Sequence, residues 1–155
     1  ADWSGVFLKE HFEVGDGMAP LALSCFSVMM LAARMVGDKL KLRHGARRLV
    51  SSGALVSSAG LFFAVLSLNA YLALGGFAIA GLGLALLFPF VFSAAGAQGP
   101  VALAGVASMA YSGTLMGPPV IGAIAHQVGM QMAIGYVGAL SLAIAFVASR
   151  TRLLV

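Results

Sequence analysis

Charge is what this 155-residue sequence has least of: Asp, Glu, Lys and Arg make up 9% of it, against 61% hydrophobic residues. Soluble domains carry roughly 25% charged and 45–50% apolar residues, because polar groups must cover a surface that water wets. So small a polar share excludes a soluble globular domain. It also excludes a nucleic-acid-binding face, since the net charge of +4 has no polar domain to sit on. Cysteine is nearly absent: Cys25 stands alone in an apolar run, so no disulfide or zinc framework forms, and a small buried side chain is expected. Signal-peptide features are missing as well. The opening ADWSGVFLKE has no basic region before its apolar run and no cleavage-site pattern after it. It is expected to be the tail of a membrane helix whose start lies outside the sequence.

What is present is apolar length. A membrane-crossing helix needs about 20 predominantly apolar residues, at about 1.5 Å rise each through a core about 30 Å thick. Five stretches meet that length: Met18–Val36, Leu49–Leu68, Tyr71–Phe92, Val101–Ile124 and Met130–Ala148, with Ala1–Leu8 a partial sixth. Break signals separate them: GDG at Gly15–Gly17, Asn69, AQGP at Ala97–Pro100 and HQVG at His126–Gly129. Barrel strands would be about 10 residues of alternating polarity, and these runs are longer and apolar on all sides. The expected fold is an all-α, polytopic transmembrane bundle of five full helices and one truncated helix.

The few cations orient it. The stretch GDKLKLRHGARR (Gly37–Arg48) holds five of the nine lysines and arginines. Basic residues favour short cytoplasmic loops. With this loop inside, Arg34, Arg150 and Arg152 fall on the same side by parity and only Lys9 lies outside, beside Glu10, Glu13 and Asp16. A phosphate-binding loop would need G-x-x-x-x-G-K-[ST] after a strand, and that order does not occur.

Packing between helices in lipid relies on small residues that let backbones approach. Four pairs have the spacing: Gly53 with Ser57, Gly81 with Ala85, Gly113 with Gly117, and Gly135 with Ala139. The segment YSGTLMGPPVIG (Tyr111–Gly122) surrounds Pro118 and Pro119 with Gly113, Gly117 and Gly122. Each proline removes an amide donor and crowds the carbonyl four residues back. A bending or sliding helix and a static kink both fit that pattern. Pro89 is expected to make a second, weaker break.

With these features in hand, the chain resembles the C-terminal half of a major facilitator superfamily transporter, in the bacterial sugar-permease-like or efflux-like branch. A loop of pattern G-x-x-x-D-R-x-G-R-R joins the second and third helices of each half in that family. Gly37, Asp38, Arg43, Gly45, Arg47 and Arg48 match its elements here, although the carboxylate at Asp38 is displaced and Leu42 precedes Arg43. The resemblance covers essentially the whole chain, residues 1–155, as one half with the other half and the start of its first helix missing. It implies that Ala1–Leu8 is the seventh helix and Tyr71–Phe92 the tenth, both lining a cavity. Met18–Val36 and Val101–Ile124 would be the eighth and eleventh, flanking the absent half, while the ninth and twelfth face lipid.

The implied activity is secondary active transport of a small solute by alternating access, coupled to protons, in a bacterial inner membrane. The expected partners are that solute, the lipid bilayer and the missing N-terminal six-helix half, with no nucleic acid. No cofactor or metal is expected, and the chain is not expected to be an enzyme. A drug or metabolite exporter of the same family and a noncatalytic membrane assembly subunit are the alternatives.

Candidate residues follow from the rule that intramembrane ionisable groups are costly and therefore functional by default. Asp2, seven residues before Lys9 and on the order of 10 Å below the outer helix end, could bind a substrate hydroxyl or a coupling proton. Trp3 could stack on a sugar face or belong to an interfacial belt. Tyr111 and Ser112 could face the cavity or bond between helices. Arg34 is expected to gate or snorkel at the inner end. Asp38 is expected to act as a charge latch with the arginines around it.

Overall fold

The computed structural model describes residues 2–15 and 17–150. The side chains of Asp2, Ala19 and Asp38, and residues Asp16 and Arg152, lie outside the described set. Among the described residues, seven helices follow one another: α1 (Asp2–Phe12), α2 (Ala19–His44), α3 (Ala46–Leu66), α4 (Ala70–Leu84), α5 (Leu87–Ala97), α6 (Pro100–Val128) and α7 (Met130–Arg150). Among the described residues, four segments are long and apolar enough to cross a membrane: Pro20–Gly37, Ala46–Leu66, Ala70–Ala97 and Met130–Arg150.

Three expectations need correction. The first concerns the basic loop. Residues 37–44 continue α2, which is 26 residues long, or about 39 Å at the helical rise. Lysine, leucine and arginine are good helix formers, so the chain stays helical beyond the apolar part. The turn into α3 is Gly45 alone, at φ 77° and ψ 152°. A side chain there would be strained, which is why the matching glycine falls at this position.

The second correction concerns Tyr71–Phe92. It is not one uniform helix: α4 ends at Leu84 and α5 begins at Leu87. Pro89 causes the gap. The amide that should reach the Ala85 carbonyl four residues back is the one proline lacks, so the break forms one turn before the proline. Asn69, one of the break signals between spans, begins a helix: its side chain accepts from the Leu72 amide at 2.9 Å and caps α4.

The third concerns the fifth span. Val101–Ile124 lies within α6, which at 29 residues is long enough to cross, but it does not join the four apolar spans. Ser108, Tyr111, Ser112, Thr114 and the two prolines dilute it.

Small residues seat α3 on α4. A Cβ added at Gly60 would lie 2.6 Å from the Ala80 amide nitrogen and 2.7 Å from the Gly76 carbonyl. One at Gly53 would lie 2.6 Å from the Gly83 carbonyl. Ser57 is fully buried between these contacts. Hydroxyls and an amide join α3 to α7: Ser58 Oγ donates to the Gly138 carbonyl at 2.9 Å, and Gln131 Nε2 donates to the Val65 carbonyl at 2.8 Å. Phe7, Leu8, Phe26, Leu61, Phe77 and Ile134 fill the core at the α1 end of the bundle, while Val50, Leu87 and Phe90 fill a second one at the basic end. Cys25 is half-buried and free.

Candidate functional site

The structure separates the candidate residues into two groups at different depths. In the first, α1 packs on α2 and α7, and its Trp3 side chain reaches α6 at Gly122. The Trp3 ring edge lies 3.2 Å from where a Cβ on Gly122 would be, so the glycine is what admits the indole. Trp3 also borders an 80 Å³ cavity with Phe26, Phe77 and Ile134. Its Nε1 is shielded and has no partner among the described residues. Because α1 runs to Phe12 rather than ending at Lys9, the backbone at Asp2 sits about 15 Å below the helix end, deeper than the sequence suggested.

Tyr111 and Ser112 are not brought to Trp3. They lie roughly 16 Å further along α6 from Gly122, and both are exposed. No residue of α6 is buried. Gly113 and Gly117 have nothing within 4 Å of an added Cβ, and neither has Gly135. Two of the four small-residue pairs therefore open onto space, whereas Gly53 packs on α4 and Gly81 on the backbone of Phe26. α6 remains helical through Pro118 and Pro119. The missing proline amides leave the carbonyls of Thr114 and Leu115 without their usual helical donors. Thr114 Oγ1 spends its own proton on the Ala110 carbonyl at 2.9 Å.

The second group lies where side chains of α2, which packs on α4, reach the break between α4 and α5 and the start of α5. Arg34 Nε donates to the Ala85 carbonyl at 3.2 Å, the acceptor that Pro89 leaves without an amide. Three residues on, Gly37 meets the Leu86 side chain, and a Cβ there would contact it. One turn further, Lys41 Nζ reaches Ser93 Oγ at 3.4 Å and stands 5.4 Å from the Phe90 ring centroid. Positions 34, 37 and 41 share one helix face, and that face holds the broken segment. Lys41, Ser93 and Ala85 escaped the sequence reading. The usable signal was Pro89, which names the orphaned carbonyl four residues earlier.

The remaining basic residues point elsewhere. Arg47 donates to the Ser149 carbonyl on α7, Arg43 and Arg48 are exposed, and Gly45 is the turn. Among the described residues, no cluster of His, Cys, Asp and Glu could hold a metal ion.

Long apolar helices with one-residue turns, a helix broken by proline and a more polar helix with no buried residue define a polytopic membrane bundle of transporter type. The chain belongs to the Major Facilitator Superfamily, whose sequence pattern matches residues 4–153. It is thus an integral membrane protein of a transporter family rather than an enzyme. It is 36% identical over 149 residues to the membrane protein MosC of Rhizobium meliloti, covering 94% of this chain and 37% of that protein. An MFS-type transporter of Yersinia pestis is 31% identical, covering 93% of this chain and 38% of its own length. A transporter of Sinorhizobium fredii is 30% identical, covering 95% and 40%. The chain therefore spans less than half the length of these curated relatives. No solved structure matches it.

Proposed function

We propose that this chain is the C-terminal half of a secondary active transporter that moves a small solute by alternating access, coupled to protons. It sits in a bacterial inner membrane with the basic end of α2 and the C-terminal tail in the cytoplasm. The observation that carries the reading is the pairing of family membership with an unburied α6. A helix holding Ser108, Tyr111, Ser112 and two prolines, with no buried residue, suits the side of a solute path closed by a second half. The coverage of the relatives leaves room for such a half.

In this reading the backbone carbonyls freed by Pro118 and Pro119, with Tyr111 and Ser112, offer polar groups near the middle of α6. Irregular or under-satisfied backbone at membrane depth belongs where it lines a cavity. Trp3, seated on Gly122, closes the outer part of the α1–α6 junction. Arg34 and Lys41 hold α5, and their release lets the inner segment swing at the Ala85–Leu86 break. Arg43, Arg47 and Arg48 set orientation by the positive-inside rule. Asp38 acts as the latch on α2, pairing with Arg43 or with a helix end when the cytoplasmic side is closed; exposed pairs contribute about 0–1 kcal/mol, enough to bias nearly balanced states. Asp2 carries the coupling proton.

The coupling role is tested with the intact protein in vesicles that report internal pH. Solute-driven proton movement is expected for the wild type and abolished in Asp2→Asn, with solute exchange at equilibrium retained. Proton movement that persists unchanged in Asp2→Asn removes the coupling role from this residue.

A further inference from the structure

At the basic end, α3 and α7 form an open cleft of 540 Å³ lined by Arg47, Arg48, Ser51, Ser52, Leu55 and Ser149. A second, apolar groove of 560 Å³ adjoins it, lined by Leu142, Ala143 and Phe146, with Ala139 further along α7. Ser51, Leu55 and Ser149 belong to both, so one continuous trough runs from two arginines to hydrocarbon. Arg150 stands over the Phe146 ring at 4.8 Å and adds a third cation at the mouth. Nothing in α3 neutralises this charge: its first turn has no acidic residue and its start has no side-chain cap. Glu10 and Glu13 lie on α1 and just past its end, and α1 belongs to the other end of the bundle.

Each wall of the cleft has a local cause. Arg47 is anchored by its bond to the Ser149 carbonyl, and its other guanidinium donors have no partner among the described residues. Arg48 makes no hydrogen bond or ion pair among the described residues. Ser51 Oγ donates to the Ala145 carbonyl at 3.1 Å and Ser52 Oγ to the Leu49 carbonyl at 3.3 Å. Both hydroxyl oxygens still accept, and so can take the proton of a glycerol headgroup. The flanking surface is hydrocarbon-like, with Leu55, Val56, Leu142 and Phe146 exposed.

We propose that this trough binds one anionic phospholipid from the leaflet at the basic end, with its phosphate between Arg47 and Arg48 and an acyl chain along Ala139, Leu142 and Phe146. Guanidinium groups match phosphate oxygens in a forked geometry, and basic pockets between membrane helices suit anionic headgroups. A free anion would use only the upper half of the trough. The apolar lower half, continuous with it through Ser51 and Leu55, requires an amphipathic ligand. Placing that leaflet on the cytoplasmic side rests on the orientation proposed above. The binding itself rests on the trough alone.

The test is native mass spectrometry of the intact protein in mild nonionic detergent, titrated with dioleoyl phosphatidylglycerol or dioleoyl phosphatidylcholine. One phosphatidylglycerol is expected to stay bound in preference to phosphatidylcholine. Arg48→Gln should weaken it about five-fold, the effect of one basic group at an anionic surface, while Arg43→Gln, an equal charge change outside the trough, should not. Ala139→Phe, which fills the apolar half at constant charge, should weaken it comparably. Equal losses in Arg48→Gln and Arg43→Gln would mean unspecific surface attraction and overturn the proposal. Undiminished binding in Ala139→Phe, or displacement of the lipid by inorganic phosphate at matched concentration, would overturn it too.

Discussion

Gly60→Val in the intact protein is expected to abolish recovery of folded, monodisperse material, the largest effect of any single change in this half. A Cβ at this position would meet the Ala80 amide nitrogen at 2.6 Å and the Gly76 carbonyl at 2.7 Å. These are backbone atoms, which no rotamer change can move. The same seam is tight from the other helix, since a Cβ on Gly76 would lie 2.7 Å from Ala64. Overpacking a core usually costs about 1–3 kcal/mol. Here α3 and α4 would have to part along the whole seam, including the Gly53–Gly83 contact, so the cost falls at or above the top of that range. Gly135→Ala, where nothing lies within 4 Å, is the control and should fold like the wild type. Size-exclusion profiles and thermal unfolding in detergent measure both. A Gly60→Val protein with wild-type melting would mean that α3 and α4 do not meet through these glycines.

The second large effect is on transport. On the proposed function, Arg34→Leu in the intact protein is expected to slow solute transport on the order of ten-fold, a barrier change of about 1.4 kcal/mol, with insertion intact. The Ala85 carbonyl belongs to a fully buried residue and has lost its helical donor to Pro89. Leaving such a group unsatisfied costs about 1–3 kcal/mol, and Arg34 supplies the missing donor. Pro89→Ala restores the amide and lets α4 and α5 join into one helix, so the arginine is no longer needed there. Stability should therefore be lower in Arg34→Leu and recover in the Arg34→Leu/Pro89→Ala double variant. Transport should stay slow in the double variant, because the hinge itself is gone. The pair is a double-mutant cycle, and a coupling energy of about 0.5–3 kcal/mol is expected for groups sharing one acceptor. Additive effects on unfolding would show that Arg34 and Pro89 act on different groups.

Membrane class and helical fold were legible in the sequence because apolar length and scarce charge depend on nothing but composition. The family was legible in Gly37, Gly45 and the arginines around them. The shape of that segment was not: a charged stretch between apolar runs reads as a loop, whereas KLKLR has strong helix propensity and carries α2 to His44. The four small-residue pairs were equally visible, yet only those on α3 and α4 are filled by a neighbour. Spacing identifies a helix face but not what lies opposite it. The break at Ala85–Leu86 was displaced from Pro89 because proline acts on the carbonyl of the preceding turn. Trp3 had two readings, sugar stacking and interfacial belt, and neither contained its packing against Gly122. That contact depends on how α1 meets α6, which no local pattern encodes. The latch at Asp38 and the coupling site at Asp2 rest on side chains outside the described residues, so for these two the sequence remains the whole argument.

The central claim is that α6 lines a solute path that opens alternately to the two sides of the membrane. Its most direct test is Ser112→Cys in the intact protein freed of other cysteines, including Cys25, probed with a membrane-impermeant thiol reagent in right-side-out and inside-out vesicles. Labelling from both sides is predicted, while Val56→Cys on the exposed apolar face of α3 is labelled from neither. Labelling of Ser112→Cys from neither side, or only from one side under all conditions, would contradict it.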